Sequence, residues 1–234
     1  LMTSILEELC PELAQTVTKM ESAPILRYLD DNNLFIVALD EQRTWYRYHH
    51  LFRDVLLHQL RLHQADTLAD LHHRAAIWYH ENDLPEQALT HSFATDDYVL
   101  AADIVRQTAL ALFTEGHVVR LRRWIERLPQ SLIQTDLHLC ITYAWTLCFI
   151  RDVQRVREYI QIAARLLSAE DDPTVRQWAQ AEIAGLRVYL GYISSDEAQV
   201  HEQMTIIEEN ATQQNALAVV LSRIALAGTH RRHH

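Results

Sequence analysis

The sequence predicts a mainly α-helical chain, in which a winged-helix-like module with one β-hairpin leads into a helical solenoid. Three observations carry this expectation. The apolar period changes at Asn33 and returns to helical spacing at His50, which isolates one hairpin among helices. Four glycines and five prolines in 234 residues are few, favouring long helices with short connections over a sandwich or barrel. Helix-length apolar patterns joined by brief polar turns recur through the second half, as in stacked helical pairs.

The elements follow in order. Ser4 with Glu7 reads as a capping box for a first short helix, and Pro11 suits the first turn of a second, running to about Met20. Ser22 is placed to cap a third, through Leu26 and Leu29 to Asn32-Asn33. Leu34–Leu39 is an apolar run of strand formers, Asp40-Glu41-Gln42-Arg43 a polar reversal, and Thr44–Tyr48 a β-branched and aromatic run. Apolar residues at Leu51, Phe52, Val55, Leu56 and Leu60 predict a helix over Leu51–Leu62. A hairpin that comes after helices and feeds another helix is how a winged-helix module ends.

A helix over Thr67–Tyr79 stops at Glu81-Asn82-Asp83, and Asp83 with Glu86 reads as the cap of Pro85–Phe93. Asp96 or Asp97 starts Tyr98–Thr114, and Gly116 suits the left-handed conformation that closes a helix. Beyond residue 131, Leu137–Ile150 with Val153–Leu167 and Val175–Tyr192 with Glu197–Asn210 form two pairs, offset by roughly forty residues. Ser194 with Glu197 reads as a further capping box. A last helix, Asn215–Ala227, has no partner after it, which suggests truncation of a longer array. The boundaries expected are 1–62 for the winged-helix-like module, 63–130 for a helical arm, 131–228 for tetratricopeptide-like (TPR-like) repeats and 229–234 for a tail.

Charge and composition exclude several classes. The three segments carry net charges of −3, −4 and −3, so none has the basic footprint of a nucleic-acid surface. Cys10, Cys140 and Cys148 are few and odd in number. Cys140 and Cys148 stand roughly 12 Å apart by helical rise, too far for a disulfide, so reduced core thiols in a cytoplasmic protein are expected. There is no signal segment and no apolar run long enough to span a bilayer. The only lysine is Lys19 and the glycines are Gly116, Gly185, Gly191 and Gly228, so no phosphate-binding loop is possible in this chain. No serine or cysteine nucleophile sits in an elbow motif, and catalysis has no positive support.

The string LFI-x-x-LD-x-x-R-x-WYRYHHLF, from Leu34 to Phe52, closely resembles the last small domain of the nucleotide-switch core in MalT-type regulators of the STAND class of signalling NTPases. Upstream, Thr3–Glu7 and Leu9–Leu13 look like the opening helices of the same module. Downstream, Leu71–Tyr79, Gln87-Ala88-Leu89 and Ala101-Ala102 resemble the helical arm, and Leu121–Pro129 with Ala144-Trp145 the start of the sensor superhelix. Five blocks in the family's order cover nearly the whole chain. The resemblance implies a regulatory fragment of a LuxR-type, MalT-like transcription activator. Its winged helix would lock or free an NTPase core belonging to the same full-length protein, and its superhelix would receive a small-molecule inducer or a regulatory protein. ADP or ATP is implied for the full-length protein, and DNA binding belongs to a separate domain.

In related proteins of this class, a histidine opening the last winged-helix helix contacts the β-phosphate of ADP. Aligning that motif with Tyr48-His49-His50-Leu51 puts His49 in the sensing position, although His50 stands where the wider class has an aspartate. The physics is compatible, because a helix start offers unpaired N–H groups and an imidazole can add a donor. The plainer alternative is that both histidines cap the helix and pack beside Tyr46 and Tyr48.

The remaining histidines (His58, His63, His72, His73, His80 and His91 among them) match neither H-E-x-x-H nor any cysteine pair motif, so no metal is expected. Arg120, Arg122, Arg123 and Arg127 read as a solvated helix face, and Trp78, Trp124, Trp145 and Trp178 as inter-helix core. Two other functions compete with the sensor reading. A stand-alone winged-helix DNA-binding regulator is disfavoured, because Glu21–Asn33, the segment that would read bases, carries a net −2. A helical-repeat interaction scaffold presents the same concave surface and differs only in whether an inducer binds.

Overall fold

Pro11 has no N–H to leave unpaired, and Cys10 before it turns its Sγ towards the Leu13 N–H at 3.5 Å, so α1 (Pro11–Thr18) starts where expected. In the computed structural model, which describes residues 1–212 with Asn215, 218–220 and Arg223, the chain forms two units that divide between Ile104 and Val105. The fold is mainly α, with a single two-stranded hairpin among the described residues.

The first unit opens with a 3-10 turn over Met2–Ile5, then α1 and α2 (Ala23–Asp31). Antiparallel β1 (Ile36–Ala38) and β2 (Tyr46–Tyr48) pair Ile36 with Tyr48 and Ala38 with Tyr46. α3 (His50–His63), a 3-10 turn (Ala65–Thr67), α4 (Leu68–Glu81) and α5 (Pro85–Phe93) follow, and α6 (Tyr98–Thr114) runs across the division between the units. The hairpin is not free-standing. Leu9 N–H donates to the Tyr46 carbonyl at 2.8 Å and Tyr46 N–H to the Leu9 carbonyl at 2.9 Å, so the segment before α1 acts as a third edge. Leu6, Leu9, Leu13, Val17, Leu60 and Leu71 are fully buried around it, each contributing about 1.5–3 kcal/mol by burial.

The strands are shorter than the apolar runs that announced them. Leu34 donates its N–H to Leu29 O and so belongs to the closure of α2, with Asn33 at φ +53. At the other end Asp40 accepts from Thr44 N–H at 2.7 Å, Trp45 N–H at 3.1 Å and the Thr44 hydroxyl, so the reversal diverts both N–H groups and leaves Trp45 only its carbonyl, which accepts Leu39 N–H at 2.8 Å.

Serine caps are the other correction. Ser4 lies inside the 3-10 turn with its Oγ buried and unpartnered, so Ser4 and Glu7 form no capping box. Ser22 donates to Met20 O and Ser194 to Leu190 O, each giving its proton to a carbonyl behind it. Asp83, at φ +58, closes α4 instead of opening α5. Aspartates, which can only accept when ionised, cap the later helices. Asp136, Asp152, Asp172 and Asp196 take the N–H groups of Leu139, Arg155, Thr174 with Val175, and Gln199. Each such cap is worth about 1 kcal/mol.

The second unit contains α7 (Val118–Ile125), α8 (Gln130–Thr135), α9 (Leu137–Phe149), α10 (Val153–Ser168), α11 (Pro173–Ser194) and α12 (Glu197–Asn210). α9 packs on α10, and α11 on α12, as the expected two pairs. Trp145, Leu139, Ile141 and Leu186 are buried almost completely between them. Gly116 takes φ +79 as expected. The expected helix Asn215–Ala227 lies for the most part outside the described residues.

Inside the first unit, His72 Nδ1 and His91 Nδ1 stand 2.8 Å apart, so one ring donates a proton and the other accepts it. His91 is only 5% exposed and stacks on Tyr79, whose hydroxyl donates to Glu8 O. Burial, with His72 and Arg53 adding to it, pushes His91 down to about 3. A histidine held neutral in the fold contributes stability above its unfolded value near 6.5 and loses it as pH falls towards 3. His91 should therefore contribute a loss of about 2 kcal/mol between pH 7.5 and pH 5, read as the difference in pH dependence between the unaltered chain and His91→Leu in thermal or urea unfolding.

Candidate functional site

His49 occupies the N-cap position of α3, where its side chain makes no capping bond and stays exposed. Its ring stacks on His50, with centroids 4.6 Å apart and an interplanar angle of 28°. The backbone around it is tightly held. His49 N–H donates to Phe35 O at 2.8 Å, and His49 O accepts the Arg53 N–H at 3.0 Å. Arg53 also donates from Nε to Ser4 O at 3.1 Å, and Tyr48 shares a 2.7 Å hydrogen bond with Thr3. The opening turn therefore grips both sides of the α3 start.

Phe35 is the residue sequence reasoning missed here. It adopts φ +60, a left-handed conformation that costs a bulky side chain about 1–3 kcal/mol. That conformation lets its carbonyl reach His49 while its ring stacks on Phe52 of the first α3 turn at 4.4 Å. Nothing in the apolar run Leu34–Leu39 signals it, because a strand former gives no sequence cue for positive φ.

With no side-chain cap, the first N–H groups of this 14-residue helix point outward beside the His49 imidazole. Together they make a donor-rich, positive-dipole corner suited to an anion. The flanking surface is apolar. Ile25 and Tyr28 on α2, Phe35 and Val37 at the hairpin, and Leu51 and Val55 on α3 are all exposed, so of the α3 apolar stripe only Leu60 is fully buried. A nearby pocket of about 440 Å³, lined by Thr18, Leu26, Leu29, Phe52 and Leu56, has almost wholly apolar walls and offers no phosphate chemistry. On the α2 side, Asp30 and Asp31 pair with Arg43 at 3.0 and 3.8 Å, leaving that helix without a basic face.

The other singled-out residues go elsewhere. His72 and His91 form the buried pair above, and His73 meets Asp97 at 2.9 Å. Among the described residues, no group of three or more His, Cys, Asp or Glu is placed to hold a metal ion. Arg122 pairs with Glu126 at 3.3 Å, while Leu121 and Trp124 on the same helix are buried. Cys10, Cys140 and Cys148 are free and buried, with Cys140 pushed up to about 12 by burial. A second polar cluster, around Glu182, was also missed. A lone acid in the apolar run Ala181–Gly185 is the signal that would have found it. Among the described residues no helix is long and apolar enough to cross a membrane.

Comparison with known proteins finds relatives for most of the chain. Residues 1–68 match the MalT winged helix domain. The chain is 27% identical over 173 residues to the HTH-type transcriptional regulator MalT of Vibrio parahaemolyticus, covering 74% of the chain and 18% of that protein. It is 24% identical over 233 residues to MalT of Klebsiella pneumoniae, covering 98% of the chain and 25% of that protein. The serine/threonine-protein kinase PknK of Mycobacterium tuberculosis is 27% identical over 146 residues, covering 62% of the chain and 13% of that protein. The chain thus spans a quarter or less of the length of these relatives. Residues 1–68 are thus similar to the MalT winged helix domain, and the chain is similar to MalT-like transcriptional regulators along most of its length.

Proposed function

We propose that this chain is the regulatory stretch of a MalT-like, STAND-class activator, coupling a signal received on TPR-like helical repeats to a nucleotide switch. The observation that carries the reading is the α3 start, where an exposed imidazole and uncapped N–H groups are ringed by exposed apolar side chains. Such a surface suits docking onto another protein face, with the polar corner meeting an anion held there. The partner in this reading is the NTPase core of the same full-length protein, and the anion is the β-phosphate of ADP. His49 then acts as a sensor of the closed state, and an inducer or regulatory protein bound to the repeats shifts the balance towards the open one.

The relatives support an input role for this stretch. Proteins named as a transcriptional regulator and as a kinase share it, so it is suited to receiving a signal rather than to either output. Its work is regulatory, in the cytoplasm, and neither DNA nor a membrane is among its direct partners.

The test is the dissociation rate of ADP from protein that carries this chain with its NTPase core. A charge-assisted hydrogen bond contributes about 1.5–3 kcal/mol, so His49→Ala should release ADP roughly tenfold faster or more and should activate with less inducer. His50→Ala should have a smaller effect. Unchanged release from His49→Ala, or a larger effect from His50→Ala, overturns the assignment.

The chain by itself should bind duplex DNA negligibly at physiological salt, because every segment is acidic and α2 has no basic face. Submicromolar, salt-sensitive binding in a titration would instead favour a DNA-reading winged helix.

A further inference from the structure

Glu182 lies in the middle of α11 and is 3% exposed. Among the described residues its carboxylate meets two neutral donors. Oε2 accepts from Trp145 Nε1–H on α9 at 2.6 Å, and Oε1 accepts from Asn215 Nδ2–H, beyond α12, at 2.9 Å. Asn215 is committed in every direction. Its amide also donates to Trp178 O at 3.0 Å, and its Oδ1 accepts from the backbone and hydroxyl of Thr212. Three residues along, Gly185 lets the same segment come close: a Cβ there would stand 2.8 Å from Ala218 Cβ and 3.0 Å from Trp145 Cζ2. One buried carboxyl group therefore ties α9, α11 and the chain after α12 together.

We propose that Glu182 is a proton-operated latch, which docks the segment around Asn215 and Ala218 onto α9 and α11 more firmly when the carboxyl is protonated. The direction follows from burial. A solvated glutamate ionises without cost, whereas in the closed latch the charge sits away from water with only two neutral donors. The Trp145 and Asn215 donors pull the proton affinity down, but burial outweighs them and raises the carboxyl to about 7. The closed form thus binds the proton more tightly than the open form, and the latch weakens as pH rises from about 4.5 through 7.

Among the described residues, burial and the Asn215 and Trp145 donors alone set the proton affinity of this carboxyl. On α9, His138 stacks on Trp178 at 4.1 Å, and its own shift arises from burial, Asp136, Arg106 and Glu170. On α10, Arg155 acts on Tyr143 and Tyr159, and Arg165 on Cys140. On α12 the buried polar side chain is the neutral Gln203. A joint of this kind makes the docking of the segment after α12 sensitive to pH near neutrality.

The test is hydrogen exchange and NMR on the 234-residue chain between pH 5 and 8.5. After correction for intrinsic exchange, the opening constant of the Val219 amide, which donates to Asn215 O, should rise at least tenfold from pH 5 to pH 8. The Trp145 indole N–H resonance should titrate with a midpoint near 7. Glu182→Gln, uncharged throughout, should abolish both dependences. Gly185→Ala should raise opening at every pH while leaving the slope in place. A pH-independent opening constant in the unaltered chain overturns the proposal, as does an unchanged slope in Glu182→Gln. If that variant does not fold, the unaltered chain and Gly185→Ala still decide the matter.

Discussion

The two hydrogen bonds between Leu9 and Tyr46 are the constraint on which the winged-helix module depends. A three-residue hairpin has little stability alone, because two short strands bury too little to offset the entropy of ordering them. Pairing Leu9 with Tyr46 adds a third edge and ties the hairpin to the fully buried Leu6, Leu9 and Leu13. Two residues past Tyr46, Tyr48 reaches Thr3, and the next residue is His49. The aim of the α3 start is thus set from outside α3, by the register of an edge strand against the opening segment.

The same logic explains why a strained residue is tolerated at Phe35. A left-handed phenylalanine persists where its surroundings determine it twice over, here through the 2.8 Å bond to His49 and the stack on Phe52. The neighbouring apolar side chains stay exposed because the module has no further element of its own to cover them. In the second unit the organising devices differ. Aspartate caps set where helices begin, and one buried acid with one glycine sets how closely the chain after α12 approaches α11.

Helical segments were legible in the sequence because amphipathic periods are long and redundant. Pro85–Phe93, Tyr98–Thr114 and Glu197–Asn210 begin and end where their patterns predict. The hairpin was legible in kind but too long by several residues, since side-chain bonds from Asp40 and the closure of α2 compete with ladder pairing. Serine caps misled because a hydroxyl can donate as well as accept, a choice that spacing does not encode. His49 was legible only through resemblance, and its exposure at an uncapped helix start is compatible with the role that resemblance implies. Phe35, Asn215 and the His72–His91 pair depend on contacts between residues distant in sequence, which no single-segment pattern carries.

The most direct measurement of this account is native-state hydrogen exchange at the amides of Leu9, Tyr46 and His49. If the Leu9–Tyr46 pairing aims the α3 start, all three should open as one cooperative unit, with a common free energy close to that of unfolding the module. If His49 exchanges orders of magnitude faster than Leu9 and Tyr46, the start of α3 moves independently of the hairpin, and the geometry of the site does not depend on that pairing.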